Sequence, residues 1–313
     1  MKKVYKDILQ TTGLVLALSA VMALRHADAA PIGIASGNKT GTNYPMIEDI
    51  KAVCSKPDAP ITNVITNGSQ ENIFRIYEDK STQYSIVQAD AAAWQQGLDP
   101  KMMERIVMIF PFFSVEFHLV AKDGSAIKSL ADLAGKNVVE GPEGSGTWVT
   151  VQMIKKLTGI KWNAINASQQ DGYNMVLNGQ ADAEFIVAGK PINLLKTAAG
   201  VKLISISHPR LDAFPMYTKT QIYADGSYGF QKGAVNTYKV DNFLATYAFK
   251  QQYQKEIGDL VTCITRNIDT LQVNSNGKFH PKWKDVNVLD IDRINWTAHP
   301  AAVAAIKREI TRK

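Results

Sequence analysis

The sequence is poor in the residues that build metal centres and nucleic-acid interfaces. Its 313 residues contain two cysteines, too few for a structural zinc site, and its five histidines show no pair at a metal-ligand spacing. The formal net charge is +6, and residues 1–29 hold four basic and two acidic side chains, so +4 remains beyond them. The sequence contains no run of lysine or arginine. We therefore expect no metal, no other cofactor and no nucleic-acid partner.

Motifs of common enzyme classes are also absent from the sequence. The loop 141–147 lacks both the Gly-Lys-Ser/Thr ending of a phosphate-binding loop and the spacing of a dinucleotide fingerprint. Gly144-Ser145-Gly146 is not the Gly-x-Ser-x-Gly elbow of a hydrolase. Glu140 and Glu143 flank the same loop, and we expect both to face solvent. The sequence therefore predicts no catalytic residues and a protein that is not an enzyme.

Outside the N-terminus, no apolar stretch approaches the length that spans a membrane. Three lysines precede an apolar core at 13–24, and Ala27-Asp28-Ala29 places small residues where a signal peptidase cleaves. We expect 1–29 to be a cleaved signal peptide; the alternative is an N-terminal membrane anchor. The mature protein would be soluble in the oxidising periplasm. There, Cys54 and Cys263 either form one disulfide or lie buried as two separate thiols.

Strands and helices alternate along most of the chain. The composition is 45% hydrophobic and 20% charged, as in ordinary globular proteins. Apolar periodicity predicts five pairs, each a strand followed by a helix. The pairs are 31–36 with 45–53, 61–66 with 69–77, 84–87 with 89–96, 137–140 with 149–157, and 183–187 with 192–199. This alternation predicts a wound α/β sheet.

The remaining segments give weaker or longer signals. Two separate apolar runs occupy 106–110 and 115–120, and the signal weakens after Phe214. The segment 243–271 is predicted to form a long helix or a helix pair, and 300–310 a final amphipathic helix. Ser69 is predicted to cap the helix that begins there.

Two polar, glycine-containing loops each connect a predicted strand to a predicted helix, at 36–43 and 144–147. In a wound sheet, such loops lie at the carboxyl ends of the strands and form the binding crevice. Glycines let backbone N–H groups approach a ligand closely, and helix N-termini favour anions. Two facing loops of this kind would hold a small carboxylate or phosphate. The alternative is that the glycines only make turns.

Five segments, in the same order, carry a closer resemblance. The stretch 36–45 (SGNKTGTNYP) resembles an opening Thr-Gly-x-x-x-Gly-Thr-Tyr-Tyr-Pro, with Asn43 in place of the first tyrosine. The segment 67–72 resembles the motif Gly-Gly-Ser-x-x-Asn, and 86–90 resembles a Gln-x-Asp segment. The segment 130–147 resembles Asp-Leu-x-Gly-Lys followed by Gly-Ser-Gly-Thr, and 179–191 resembles Gly-x-x-Asp-Ala followed by Gly-x-Pro. Together they resemble the TAXI group, the solute receptors of one branch of the tripartite ATP-independent periplasmic (TRAP) transporters. The resemblance thins beyond Phe214.

The resemblance implies an α/β protein of the type II periplasmic-binding fold, with two α/β lobes and a ligand cleft between them. Lobe one would comprise 30–117 and 218–313, and lobe two 118–217. The protein would be a monomer that captures a small organic acid, such as a dicarboxylate or glutamate, and delivers it to TRAP membrane subunits. A stand-alone ligand sensor or scavenger and an enzyme on the same fold are the alternatives.

The resemblance and the two loops together single out the candidate ligand-binding residues. These are Thr40, Gly41, Thr42, Asn43, Tyr44, Ser69, Asn72, Gln88, Ser145, Gly146, Thr147, Trp148 and Lys190. Lys39, Arg75 and Lys190 are the cations nearest to these motifs, and one of them could pair with an acidic ligand. Ser69, Asn72 and Gln88 could instead serve only the start of a helix.

Overall fold

The computed structural model describes residues 31–249, 253–273 and 277–312. The predicted signal peptide, 1–29, lies outside these residues. The strands are β1 (Ile32–Ala35), β2 (Ile61–Val64), β3 (Tyr84–Gln88), β4 (Ile106–Lys122), β5 (Asn137–Val139), β6 (Asn163–Ile165), β7 (Ala183–Ala188), β8 (Val201–Ile204), β9 (Thr218–Ile222) and β10 (Val235–Tyr247). All of them belong to one continuous mixed sheet.

Helices follow most of the strands, as the alternating pattern predicts. They are α1 (Asn43–Cys54), α2 (Ser69–Glu78), α3 (Ala89–Leu98), α4 (Pro100–Met103), α5 (Gly146–Thr158), α6 (Gln169–Asn178), α7 (Asn193–Lys196), α8 (Pro209–Asp212), α9 (Gln254–Val273) and α10 (Pro300–Ile310). Short 3₁₀ helices occupy Leu130–Leu133, Pro281–Asp285 and Ile291–Arg293.

The sheet has two halves, and two long strands run through both. The path of neighbouring strands is β2-β1-β3-β10-β4-β7-β5-β6. The later part of β10 pairs with β3, whereas its earlier part pairs with β9. In the same way, the later part of β4 pairs with β7 and β8. Its earlier part, from Ile106 to Glu116, pairs with β10. The two halves are therefore joined by an antiparallel ribbon, not by a flexible linker. The assignment of residues to lobes at 117/118 and 217/218 stays a prediction.

The structure corrects two predictions about these long strands. The apolar runs 106–110 and 115–120 are parts of one 17-residue strand, β4. Pro111 lies between them, where the β4–β10 register shifts, because proline has no N–H to donate to the ladder. The predicted helix at 243–271 is wrong at its start, since β10 continues to Tyr247 and α9 begins at Gln254. Phe243, Leu244 and Ala245 are completely buried, so no alternation marks this segment as a strand.

A disulfide ties the C-terminal part of the chain to the first helix. Cys54 at the end of α1 and Cys263 in α9 are bonded, with their Cα atoms 5.9 Å apart. Ile257, Leu260 and Ile264 on α9 are buried in the same apolar core as α1. Of the two alternatives for the cysteines, the structure shows the bonded one. The bond closes a loop that contains most of the chain, which stabilises a fold by restricting its unfolded state.

A carboxyl group without a hydrogen-bond partner lies in the core of the second half of the sheet. Glu184 on β7 is completely buried, and neither of its carboxyl oxygens contacts a donor among the described residues. Burial raises its pKa well above the ordinary value of 4.5. Gly172 on α6 faces it: a Cβ there would lie 2.4 Å from a Glu184 oxygen. The absence of a side chain at this glycine therefore makes room for the carboxyl group.

The buried Glu184 predicts a pH-dependent stability. Because its folded-state pKa is raised, the unfolded chain loses this proton first as the pH rises, so stability falls above a pH of about 4.5. We expect Glu184→Gln to remove part of this loss, since the amide cannot ionise. The melting temperature of the wild type should drop more between pH 5 and pH 8 than that of the variant. Glu78→Gln, at an exposed position on α2, is the control and should leave the difference unchanged. Equal slopes for all three proteins would contradict the prediction.

Candidate functional site

A small cavity, the central cavity, lies between the two halves of the sheet at the carboxyl ends of their strands. Its volume is about 60 Å³. It is lined by Gly37, Asn38, Gly41, Thr42, Asn43, Asn67, Gly68, Ser69, Gln88, Val115, Pro142, Ser145, Gly146, Thr147, Gln169, Val187 and Ala188. None of these lining residues carries a charge at neutral pH. The polar groups in this lining are hydroxyls, amides and backbone N–H groups.

Four helices begin at the central cavity. Thr42 and Asn43 belong to the start of α1, Gly68 and Ser69 to that of α2, Ser145 and Gly146 to that of α5, and Gln169 to that of α6. Each of these helices has at least ten residues, so each directs the positive end of a helix dipole at the same space. The geometry therefore favours an anion although no cation lines the cavity.

At the start of α5, one backbone N–H group is bonded within the protein, and two are left without an acceptor among the residues that the structure describes. The Ser145 Oγ accepts a hydrogen bond from the Trp148 N–H at 3.1 Å and thereby caps the helix. Within the described residues, the N–H groups of Gly146 and Thr147 have no acceptor. The Thr147 Oγ1 accepts from the Val187 N–H at 3.0 Å, which fixes this residue against β7. Two backbone donors are thus left for a ligand.

The two halves touch around the cavity through backbone atoms, and two glycines allow this approach. Gly68 has a positive φ of 129°, and a Cβ there would lie 3.2 Å from the Gly146 nitrogen. A Cβ on Gly146 would lie 1.8 Å from the Gln88 Oε1. The Gln70 N–H donates to the Gly144 carbonyl at 3.2 Å, directly across the cleft. Side chains at either glycine would hold the halves apart.

A buried polar network lies below the cavity and also joins the halves. The Gln88 Nε2 donates to the Thr150 Oγ1 at 3.1 Å and to the Gly146 carbonyl at 3.4 Å. Asp90 is completely buried, and one of its oxygens accepts from Thr150 at 2.7 Å and from Tyr217 at 3.0 Å. Burial raises the pKa of Asp90, and these hydrogen bonds act in the opposite direction. The network connects the end of β3 to α5, so it is formed when the halves are together.

Eight of the thirteen candidate ligand-binding residues come together at this cavity. They are Gly41, Thr42, Asn43, Ser69, Gln88, Ser145, Gly146 and Thr147. They come from three different loops and from the end of one strand. Their role in binding stays a prediction.

The structure places the other five candidates outside the lining. Asn72 is completely buried, and its Nδ2 donates to the carbonyls of Ser36 and Ile86 at 3.0 and 2.7 Å, so it holds two strand ends together. Trp148 packs edge-on against Trp94 with ring centroids 6.2 Å apart.

Thr40, at the rim, donates to the Gln169 Oε1 at 3.3 Å and so bridges the two halves. Tyr44 is partly buried, and its carbonyl accepts a hydrogen bond from Asn63 at 3.1 Å. Lys190 contacts Asp225 at 2.7 Å, away from the cavity lining.

The sequence did not single out some of the residues that line the cavity. Asn38 and Asn67 lie within the matched motifs but were not selected as ligand contacts. Gln169 was missed because no helix start was recognised at that position. Ser168 caps α6 by accepting from the Asp171 N–H, and this Ser-x-x-Asp pattern is the signal that could have found the helix start. Val115 and Val187 give no polar signal at all.

Two further predictions near the site are wrong. Glu140 does not face solvent; it is 1% exposed, and one of its oxygens lies 2.6 Å from both the Lys155 Nζ and the Trp162 Nε1. It therefore neutralises a lysine within the second half of the sheet, whereas Glu143 is exposed. Ser69 does not cap α2. Gly68 occupies that position, and the Ser69 Oγ accepts from the Gln88 N–H at 3.1 Å.

The described part of the chain contains no metal-binding cluster and no serine–histidine pair. Within residues 31–249, 253–273 and 277–312, no group of three or more His, Cys, Asp or Glu side chains could hold a metal ion. No hydrogen bond in these ranges joins a serine hydroxyl to a histidine ring. None of the helices described there is long and apolar enough to cross a membrane.

Several solved structures share this architecture. A periplasmic transporter protein matches with a TM-score of 0.56 and 13% identity over 92% of this chain and 98% of that one. An ancestral arginine-binding protein bound to arginine matches with a TM-score of 0.51 and 13% identity, over 82% of this chain and 98% of that one. The substrate-binding protein of an amino-acid ABC transporter from Streptococcus pneumoniae, bound to L-arginine, also matches. Its TM-score is 0.50 and its identity 12%, over 88% of this chain and 96% of that one. At these identities the likeness shows the fold: two α/β lobes of the type II periplasmic-binding kind.

A family model assigns the sequence more directly. The model of the NMT1-like family matches residues 34–303, which include the end of β1, the lining of the central cavity and the first four residues of α10. The match therefore covers both halves of the sheet and the two strands that join them. The chain belongs to the NMT1-like family.

Proposed function

We propose that this protein is a periplasmic solute receptor that binds a small organic acid in the central cavity and does not turn it over. The observation that carries the proposal is the convergence of four helix N-termini on a cavity without charged lining residues. Backbone N–H groups at helix starts stabilise a carboxylate without the desolvation cost of a buried cation. The Gly146 and Thr147 N–H groups, the Ser69 hydroxyl and the second N–H of the Asn43 amide supply the donors.

Closure of the two lobes around the ligand is part of this proposal. We place lobe one at 30–117 with 218–313 and lobe two at 118–217, with β4 and β10 as the connection. The contacts across the cleft, from Gln70 to Gly144 and from Gln88 to Thr150, form only when the lobes are closed. A ligand that adds contacts to both lobes shifts the population toward the closed state.

Delivery to a TRAP-type membrane transporter is the finer part of the proposal. It is supported by five motifs that resemble those of TAXI receptors and occur in the same order along the chain, at 36–45, 67–72, 86–90, 130–147 and 179–191. The signal-like N-terminus supports export to the periplasm. The protein would act there as a monomer.

The first test is direct binding to small acids. Calorimetry of the purified mature chain should detect binding of small mono- and dicarboxylates, and of glutamate, while the corresponding neutral amides do not bind. A negative charge is required because helix N-termini, not a side-chain cation, attract the ligand. Mass spectrometry after prolonged incubation should return the ligand unchanged. Equal affinity for acids and amides would contradict the anion site, and a new product would show an enzyme.

The second test addresses the start of α5. Gly146→Val should weaken binding of the best acid about 10- to 150-fold, the effect of one lost charge-assisted hydrogen bond of about 1.5–3 kcal/mol. The reason is that any Cβ at this position meets Gln88 and so displaces the start of α5 and its N–H donors from the ligand. Gly97→Val is the matched control, because a Cβ at Gly97 has no atom within 4 Å. Circular dichroism verifies folding, and unchanged affinity in a folded Gly146→Val protein would show that α5 does not contact the ligand.

The third test addresses the transporter. Vesicles that contain TRAP-type membrane subunits should take up the labelled acid only when this protein is added outside, and without ATP. The Gly146→Val variant should support less uptake at ligand concentrations below its dissociation constant. Uptake that requires ATP-hydrolysing membrane subunits instead would contradict the TRAP assignment and leave the receptor function standing.

A further inference from the structure

A second cavity, the outer groove, adjoins the central cavity on the side of the β1–α1 and β2–α2 loops. Its volume is about 400 Å³, and it is lined by Asn38, Lys39, Ile65, Thr66, Asn67 and Glu71. Asn38 and Asn67 also line the central cavity. The two spaces therefore meet at these two side chains, both of which are exposed.

The difference in size between the two spaces decides how a ligand is arranged. The central cavity, at about 60 Å³, is several times smaller than the outer groove, at about 400 Å³. It accommodates a carboxylate and few further atoms. A longer acid that keeps its carboxylate at the helix starts must extend out of the cavity. The residues shared by both spaces mark the outer groove as the path.

The outer groove carries one positive charge that no carboxylate neutralises. Lys39 is exposed, and in the described ranges no acidic group lies within 4 Å of its Nζ. The Glu71 oxygens are already engaged: one contacts Arg75 at 3.1 Å, and the other accepts from the Asn67 N–H at 2.9 Å. Ile65 adds an apolar wall that is 49% exposed. The groove thus offers an apolar surface for methylene groups and a cation for an acidic end.

Lys39 differs in this respect from the other two cations near the motifs. Lys190 contacts Asp225 at 2.7 Å and the Tyr223 carbonyl at 2.7 Å, and Arg75 contacts Glu71. Both are therefore committed to partners within the protein. Lys39 is free to meet a ligand.

We propose that the outer groove is the subsite for the second acidic group of a dicarboxylate, and that Lys39 is the specificity-determining residue for it. The inference rests on the proposed function, because it places the first carboxylate at the helix starts of the central cavity. The methylene chain would lie along Ile65, between the two charged ends. Dicarboxylates are then preferred over monocarboxylates of the same chain length.

The test compares matched pairs of acids by calorimetry: butanoate with succinate, pentanoate with glutarate, and hexanoate with adipate. In wild type, one dicarboxylate should bind about two- to fivefold more tightly than its partner, the range expected for an exposed ion pair. The preference should peak at one chain length, because a shorter acid cannot extend from the helix starts past Asn38 and Asn67 to Lys39. It should shrink in high salt, which screens an exposed charge.

Variants at Lys39 isolate its charge. Lys39→Met keeps the length of the stem and should lower dicarboxylate affinity to that of the matched monocarboxylate, with monocarboxylate affinity unchanged. Lys39→Arg should retain the preference, and Lys39→Glu should reverse it. Lys80→Met, which removes a lysine outside both cavities, is the control and should change neither affinity.

The outcomes separate this inference from the proposed function. If both kinds of acid bind and Lys39→Met changes neither affinity, or weakens both equally, the subsite is wrong and the receptor function stands. If wild type binds neither kind of acid, the central anion site fails and the subsite fails with it. Loss of the preference in Lys39→Met alone supports both.

Discussion

The pairing of β4 with β10 is the constraint on which the rest of this structure depends. Each strand takes its neighbours from one half of the sheet at one end and from the other half at the other end. Neither half has a complete sheet without them. Because the ribbon fixes how the halves meet, it also fixes where the loops after β1, β2, β5 and β6 converge. Val115, near the middle of β4, lines the cavity that results.

The protein treats buried charge in two different ways, and the contrast explains the central cavity. Lys282, only 5% exposed, lies at 2.5 Å from Glu116 and 2.6 Å from Asp285, and the Lys190 N–H also donates to Glu116. This buried lysine is stable because carboxylates of the protein itself neutralise its charge. A cation in the central cavity would have no carboxylate in the lining to compensate it. Helix N-termini attract an anion without this cost, since their N–H groups are part of the backbone.

Much of the first half of the fold could be predicted because its signals are local. The helices α1, α2 and α10 begin or end within two residues of their predicted bounds, and Gly159 ends α5 in a left-handed conformation with φ of 75°. β10 could not be predicted in this way. It is central in the sheet, and both its faces are covered, so its buried end shows no period of two. The long helix predicted there merged the end of a strand with the helix that follows.

The loops that are polar and rich in glycine, and the helices that begin after them, can be recognised from residue spacing. These properties depend on residues that are neighbours in the chain. Which of these loops meet depends on the folded sheet. Lys39 and Lys190 both lie beside matched motifs, yet one faces an open groove, while the other pairs with Asp225, 35 positions away. Sheet order brings such distant residues together, and it depends on the packing of the whole core, which no local pattern records.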